Sequence, residues 1–346
     1  MTHYFHINLP DEVIQLHNIY KLHQKTLFLV GGAVRDSLLN LKPNDWDLVT
    51  DALPEESKTI LKDFKISEEG IKFGVLSVHI DKEQYEIASY RKDVNNKVIL
   101  GVTILEDCRR RDLTINALYY DIGNKSIIDI VDGLKDIDNK LIRMIGDCKQ
   151  RFQEDKFRIL RIIRISSRLE FRIDDEIVNY IKMDNKLTNV SSERILEEFL
   201  NNCCNINYLK LLSEFNFWNQ MFPKIEINFD FVSSENVVIV LSNLFGSEIN
   251  KLKLSKSIKK QVMFLINFDK LNVTNVYEMY QNKIRCGIND DLVNEWIKLK
   301  ILNDDVFKKF LNYKPSFKIL NFNLSGKELG YAIRNFETES FYNMKN

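Results

Sequence analysis

Glycine is crowded into the front of this 346-residue chain: eight of its twelve glycines lie at or before Gly146, leaving four for the last 200 residues. Glycine supplies tight turns and weakens helix interiors. Strands and turns are therefore expected in front and helices behind. Residues 11–24 place Val13, Ile14, Leu16 and Ile19 on one helical face. Residues 27–30 read as a short apolar strand ending in a glycine pair, 34–41 as a helix stopped before Pro43, and 45–50 as a second strand. Residues 74–80 and 85–90 alternate around Asp81-Lys82-Glu83-Gln84, the pattern of a hairpin. A smaller hairpin is expected at 119–129. From about Arg109 onward helical periodicity takes over, with one long basic helix over 150–172 and another over 191–200, N-capped by Ser192.

A chain of this length fits two or more domains. Formal net charge is zero, so any grip on nucleic acid must come from local basic patches. Hydrophobic residues at 45% and charged residues at 28% describe a globular chain. No apolar run approaches a membrane-spanning helix, and the first residues lack a basic start and an apolar core, so a cytoplasmic location is expected. The five cysteines lack CxxC spacing, which argues against a disulfide framework or a zinc site.

The chemistry gathers behind the glycine pair. Gly31-Gly32-Ala33-Val34-Arg35-Asp36 is followed by Asp45-Trp46-Asp47. In an extended chain, residues two apart point the same way, so Asp45 and Asp47 aim two carboxylates at one place. Paired carboxylates suit Mg²⁺, which takes a few carboxylate oxygens and completes its shell with phosphate oxygens. Gly31 and Gly32 let backbone N–H groups approach a polyphosphate. Glu86 stands in a strand otherwise made of Tyr85, Ile87 and Ala88, and is a candidate third acid.

A second group lies at Glu154-Asp155-Lys156-Phe157-Arg158, followed by Arg161. On a continuous helix these acids and arginines share one face. A carboxylate acceptor beside a guanidinium donor complements the amine and ring nitrogen on the pairing edge of adenine or cytosine, and rejects guanine and uracil by leaving polar groups unpaired. Between the two groups runs Arg110-Arg111-Asp112-Leu113-Thr114-Ile115-Asn116-Ala117. Its arginines suit a triphosphate, and Asp112 or Asn116 suits a ribose hydroxyl. Each motif alone also fits an ordinary role: a turn, a solvated loop, a surface salt-bridge ladder. Their occurrence together in one order points to nucleotidyl transfer.

The pieces GGAVRD, DWD, RRDLTINA, QEDKFRILR and SSERILEEF, spread over residues 28–200, resemble the class II tRNA nucleotidyltransferases, the family of CCA-adding enzymes and bacterial poly(A) polymerases. The run Leu324-Ser325-Gly326-Lys327-Glu328-Leu329-Gly330 is a weaker match. The resemblance implies an α+β fold: a polymerase-β-like nucleotidyltransferase head over 1–125, a helical neck with the nucleotide-selecting helix over 126–205, and a helical body and tail over 206–346. It further implies that Asp45 and Asp47 hold two Mg²⁺ ions, with Glu86 near the third-acid position. Gly31, Gly32 and Arg35 would meet the triphosphate, Arg111 and Asp112 the phosphate and ribose, and Asp155 and Arg158 the incoming base of CTP or ATP. The tRNA 3′ end would be the partner, with Lys251, Lys253, Lys256, Lys259 and Lys260 as a candidate backbone grip. Two departures stand out. Lys156 replaces the proline of the usual EDPxR, and the stretch from Asp93 to Arg109 is short and lacks an Arg-Arg-Pro run. A CC-adding or poly(A)-adding enzyme is therefore an alternative product class. A catalytically silent RNA-binding relative is a further alternative, against which the intact carboxylate pair argues. All five histidines precede residue 80, so no His-Asp metal site is expected downstream.

Overall fold

The computed structural model describes residues 3–344 apart from 95–96, 224, 228, 230–233, 272–274, 301–304 and 316–325. The chain divides into two compact units, residues 1–189 and 190–346. The first unit is mixed. Its strands are β1 (His3–Tyr4), β2 (Leu27–Val30), β3 (Leu48–Thr50), β4 (Lys65–Ser67), β5 (Val75–Ile80), β6 (Glu83–Ser89), β7 (Arg91–Val94), β8 (Lys97–Leu100), β9 (Tyr119–Asp121), β10 (Ser126–Ile128), β11 (Leu141–Ile142) and β12 (Arg172–Ile173). Its helices are α1 (Asp11–Leu22), α2 (Gly32–Leu38), α3 (Pro54–Ile60), α4 (Ile104–Arg110), α5 (Gly133–Asp138), α6 (Cys148–Glu154), α7 (Arg158–Leu169) and α8 (Asp175–Met183).

Eight strands form one sheet in the order β1-β10-β9-β2-β3-β6-β5-β4. Every neighbouring pair is antiparallel except β3 and β6, which run parallel. The apolar β2 lies mid-sheet between β9 and β3, as a four-residue run without a polar position must. On one face Val30, Val49, Cys108, Ala117, Tyr119 and Ile145 form a buried core, with Phe28 and Ala88 packed against it.

The strand expected at 45–50 begins only at Leu48. Asp45, Trp46 and Asp47 are a lead-in, tied by the Val30 amide donating to the Asp47 carbonyl at 3.0 Å. Its antiparallel neighbour runs out there, because Gly31 turns the backbone away at φ +78°. The single helix expected over 150–172 is two helices. Asp155 sits between them at φ −153°, and its Oδ1 accepts the Phe157 amide at 2.9 Å. A short acid that bonds the backbone two residues on offers the chain an alternative to continuing the helix. Glu154, Asp155 and Arg158 therefore flank a turn and do not share one helix face. Residue 125, expected to end the head, lies in the turn between β9 and β10. The segment after β11 is stitched back by Thr114 N–H to Arg143 O and Ile145 N–H to Asp112 O.

The second unit is helical among its described residues: α9 (Ser192–Asn202), α10 (Ile206–Glu214), α11 (Phe217–Met221), α12 (Val237–Phe245), α13 (Lys256–Phe268), α14 (Val276–Arg285), α15 (Asp290–Leu299), α16 (Asp305–Asn312) and α17 (Gly326–Tyr342). The N-cap of α9 is Ser191, one residue before the expected Ser192. Phe199, Trp218, Phe222 and Phe245 form one aromatic cluster. Phe268, Trp296, Phe310 and Phe341 belong to a larger buried core. Leu324 and Ser325 of the tail motif lie outside the described residues.

Candidate active site

The sheet register puts the acids in one row. β3 pairs with β6 as Leu48 with Ile87 and Val49 with Ala88, so one step back along both chains brings Asp47 beside Glu86. Residues paired across a sheet point to the same face. Asp47 and Glu86 together line a cavity of about 130 Å³ with Val30 and Ala88. Burial, followed by the charges of Asp45 and Glu86, lifts the Asp47 carboxyl from 3.8 to about 6, with Arg111 opposing. The structure thus brings Asp45 and Glu86 each within electrostatic range of Asp47. Among the described residues no three His, Cys, Asp or Glu side chains form a closed metal cage. Mg²⁺ does not need one, since it keeps water and substrate oxygens in its shell. A carboxyl raised by burial and then by acidic neighbours is one whose charged form a bound cation would favour.

The same cavity is walled by Arg91, Arg110 and Arg111. Thr103 and Glu106 form a capping box that starts α4, which places Asp107 three and four residues before these last two arginines. Asp107 is completely buried. Its Oδ1 accepts from Arg110 Nε at 2.9 Å, and its Oδ2 from Arg111 Nε at 3.2 Å and Nη2 at 3.1 Å. The Tyr119 hydroxyl donates to Oδ2 at 2.7 Å. Burial would raise the Asp107 carboxyl, but Arg111 and Arg110 hold it below the usual carboxylate value. Arg91 donates from Nη1 to the Phe73 carbonyl, while its Nε is buried with no hydrogen-bond partner. Three guanidiniums and two carboxylates therefore share one cavity.

Arg35, expected at the triphosphate, is buried and makes internal ties. It is 4% exposed. Its Nε donates to Asp36 Oδ1 at 2.8 Å and its Nη1 to Asn116 Oδ1 at 2.5 Å. Burial pulls its pKa down, opposed by Asp36. Asp36 also takes Arg168 Nη2 at 2.7 Å. Asn116 bonds in turn to Asp112, whose Oδ2 accepts from Arg161 Nε at 3.0 Å. A continuous chain of polar contacts thus runs Arg168–Asp36–Arg35–Asn116–Asp112–Arg161. It fastens the glycine turn and the RRDLTINA segment to the basic face of α7. Glycine is needed at position 31 for its positive φ; a Cβ there would stand 3.9 Å from Arg111 Nη1.

Around the α6–α7 turn, Glu154 Oε2 accepts from Arg158 Nη1 at 2.7 Å and Arg151 Nη1 at 2.8 Å. Arg158 Nη1 also reaches the Arg151 carbonyl at 2.6 Å. Arg151 Nη2 donates to the carbonyls of Arg110 and Arg111, the latter at 2.6 Å. One guanidinium hence joins the Arg110–Arg111 segment to the Glu154–Arg158 group. Sequence patterning alone pointed to Arg111 but not to Asp107, Arg91 or Arg151. Asp107 has a signal in its spacing to Arg110 and Arg111; Arg91, beside Lys92, and Arg151 belong to none of the motifs. In the second unit, Lys251 pairs with Glu248 and Lys253 with Glu193 at 3.0 Å, and Lys259 donates to the Asn250 carbonyl at 3.0 Å. Lys256 and Lys260 lie on the first turns of α13.

Residues 27–143 match the family model described as the poly A polymerase head domain. A CCA-adding enzyme of Pediococcus pentosaceus is 39% identical over 180 residues, 50% of this chain and 45% of that protein. The chain thus spans about half the length of some curated relatives it matches. With a CCA-adding enzyme of Lactobacillus helveticus the match extends over 94% of this chain and 92% of the relative, at 31% identity. The fold is that of the Thermotoga maritima CCA-adding enzyme complexed with tRNA, with TM-score 0.66 at 19% identity over 97% of this chain and 92% of that one. By this near full-length similarity, the chain belongs to the family of CCA-adding enzymes and poly(A) polymerases.

Proposed function

We propose that this chain is a template-independent tRNA nucleotidyltransferase that adds or repairs the 3′-terminal CCA, using CTP and ATP, with two Mg²⁺ ions as cofactor. The observation that carries this reading is the single cavity walled by Asp47 and Glu86 on one side and Arg91, Arg110 and Arg111 on the other. In the reaction the tRNA 3′-hydroxyl loses its proton to water and its oxygen bonds to the α-phosphorus, while the bond from that phosphorus to the α–β bridging oxygen breaks and pyrophosphate departs. Asp45 and Asp47, with Glu86 near Asp47, would hold the divalent cations, which would favour loss of the 3′-hydroxyl proton and neutralise charge on the leaving group. The three arginines offer fixed N–H donors to the phosphate oxygens, and Asp107 keeps two of them aimed. Gly31 and Gly32 leave room for phosphate beside Arg111. Asp112 and Asn116, with Arg35 and Arg161, position the glycine turn. Asp155 and Arg158 read the base, and Glu154 with Arg151 steadies Arg158. The five cysteines are all free, which suits the reducing cytoplasm.

The test is product sequencing after incubation with tRNA ending before CCA, all four nucleoside triphosphates and Mg²⁺. Ends reading CCA are expected. The match to a poly A polymerase head domain supports a second reading, poly(A) addition. Long A tails would select it, and products stopping at CC would mark a CC-adding enzyme. Asp155→Ala is expected to admit GTP and UTP while tRNA binding stays unchanged; retained selectivity would remove Asp155 from base reading.

A further inference from the structure

Lys156 lies at the centre of the turn between α6 and α7, where a side chain has two neighbours of interest: Asp155 before it and Arg158 after it. Its ammonium group does not extend into solvent. Nζ lies 2.5 Å from Asp184 Oδ2 and donates to the Tyr180 hydroxyl at 2.9 Å, both at the C-terminal end of α8. It also stands 4.8 Å from the Tyr180 ring centroid. That ring stacks on Phe152 of α6, with centroids 4.7 Å apart and planes 29° from parallel. Phe152 is fully buried, so the contacts close a loop from α6 through α8 to the turn and back. Lys156, Tyr180 and Asp184 form part of the wall of an open cavity of about 800 Å³, together with Glu154 and Asp155.

We propose that Lys156, clasped by Asp184 and Tyr180, is a positioning residue for nucleotide selection: it locks the Asp155–Arg158 turn against α8. The proposal rests on the reading of Asp155 and Arg158 as the base-reading pair. The geometry supports it in two ways. Asp155 has left helical geometry and already uses Oδ1 to hold the Phe157 amide, so the helical ladder is interrupted and side chains hold the turn together with local backbone bonds, among them Arg158 N–H to the Asp155 carbonyl at 3.2 Å. The side chain of Lys156 is only 10% exposed, and a long aliphatic stem ordered in this way restrains the backbone from which it grows. Lys156 touches no part of the cavity that holds Asp47 and Glu86. Its loss is therefore expected to act on the choice of base and to spare the phosphate-side groups.

The experiment compares wild type with Lys156→Met, Asp184→Asn and the charge-swapped double variant Lys156→Asp with Asp184→Lys. Incorporation of each nucleoside triphosphate into tRNA ending before CCA is measured as KM and kcat, alongside amide hydrogen exchange at Phe157 and Arg158. For both single variants, the ratio of correct to incorrect nucleotide is expected to fall about tenfold, chiefly through KM for CTP and ATP. The two amides are expected to exchange faster, and the charge swap to restore part of both effects. Unchanged selectivity and unchanged exchange in Lys156→Met would overturn the proposal, as would faster exchange with selectivity intact. The exchange readout separates the two ideas. If wild type adds no nucleotide, the base-reading role fails with the enzymatic reading, while slowed or unaltered exchange in the variants would by itself refute the clasp.

Discussion

Replacing Asp47 by asparagine should stabilise the metal-free protein while abolishing nucleotide incorporation. The carboxyl titrates at about 6 in the fold against an ordinary 3.8, through burial and then the charges of Asp45 and Glu86. In the window between those values the folded state binds more protons than the unfolded state, so stability falls as pH rises through it. Below pH 4 the group costs nothing. Above pH 6 the full penalty is present, and the difference between 3.8 and about 6 at 1.36 kcal/mol per pH unit amounts to about 3 kcal/mol. The Asp47→Asn variant would keep the backbone bond from Val30 and remove the charge. Urea or thermal melts of both proteins in EDTA, from pH 4 to pH 8, measure the effect. The gain should be near zero at pH 4, grow through pH 5 and 6, and level off at roughly 1–3 kcal/mol by pH 7, several degrees in Tm. Added Mg²⁺ should raise the wild-type melting temperature more than that of the variant, since a ligand of the native state stabilises it by mass action. A variant less stable than wild type at pH 8, or a difference independent of pH, would refute the reading of Asp47 as a carboxyl raised by burial and by its acidic neighbours.

Asp107→Asn removes the one buried charge that holds Arg110 and Arg111. A loss of about 3 kcal/mol in urea denaturation is expected, together with a raised KM for nucleotide; a loss under about 1 kcal/mol would show that the arginines hold themselves. Gly31→Ala has room for its methyl group, with the nearest atoms at 3.8 and 3.9 Å. Its cost should therefore be backbone strain alone, about 1–3 kcal/mol at this positive φ, read as a shift in the urea midpoint; a neutral result would mean that the turn relaxes.

Much of the first constellation is legible in local sequence because its logic is local. Period-two alternation marks the hairpin strand that carries Glu86, and the glycine pair marks the end of the apolar strand before it. The helix break at Asp155 was hidden, because i, i+3 and i, i+4 spacing reads identically across a continuous helix and across a turn with helix on both sides. The internal partners of Arg35 are hidden for a related reason. An arginine next to glycines suits a phosphate, and only the burial of its surroundings shows that Asp36 and Asn116 have already taken its donors.

Composition and patterning by themselves determined that strands come first and helices after, that paired carboxylates follow a glycine turn, and that an acidic-basic group lies further on. Tertiary structure alone decided which charges meet. Asp47 and Glu86 are 39 positions apart and become neighbours through one parallel strand pair. Arg151 finds the carbonyls of Arg110 and Arg111 some 40 residues away. Propensity and periodicity act over a few residues, whereas Coulomb forces and desolvation depend on distance in space. The elements were therefore written in the sequence, and the site was made by their packing.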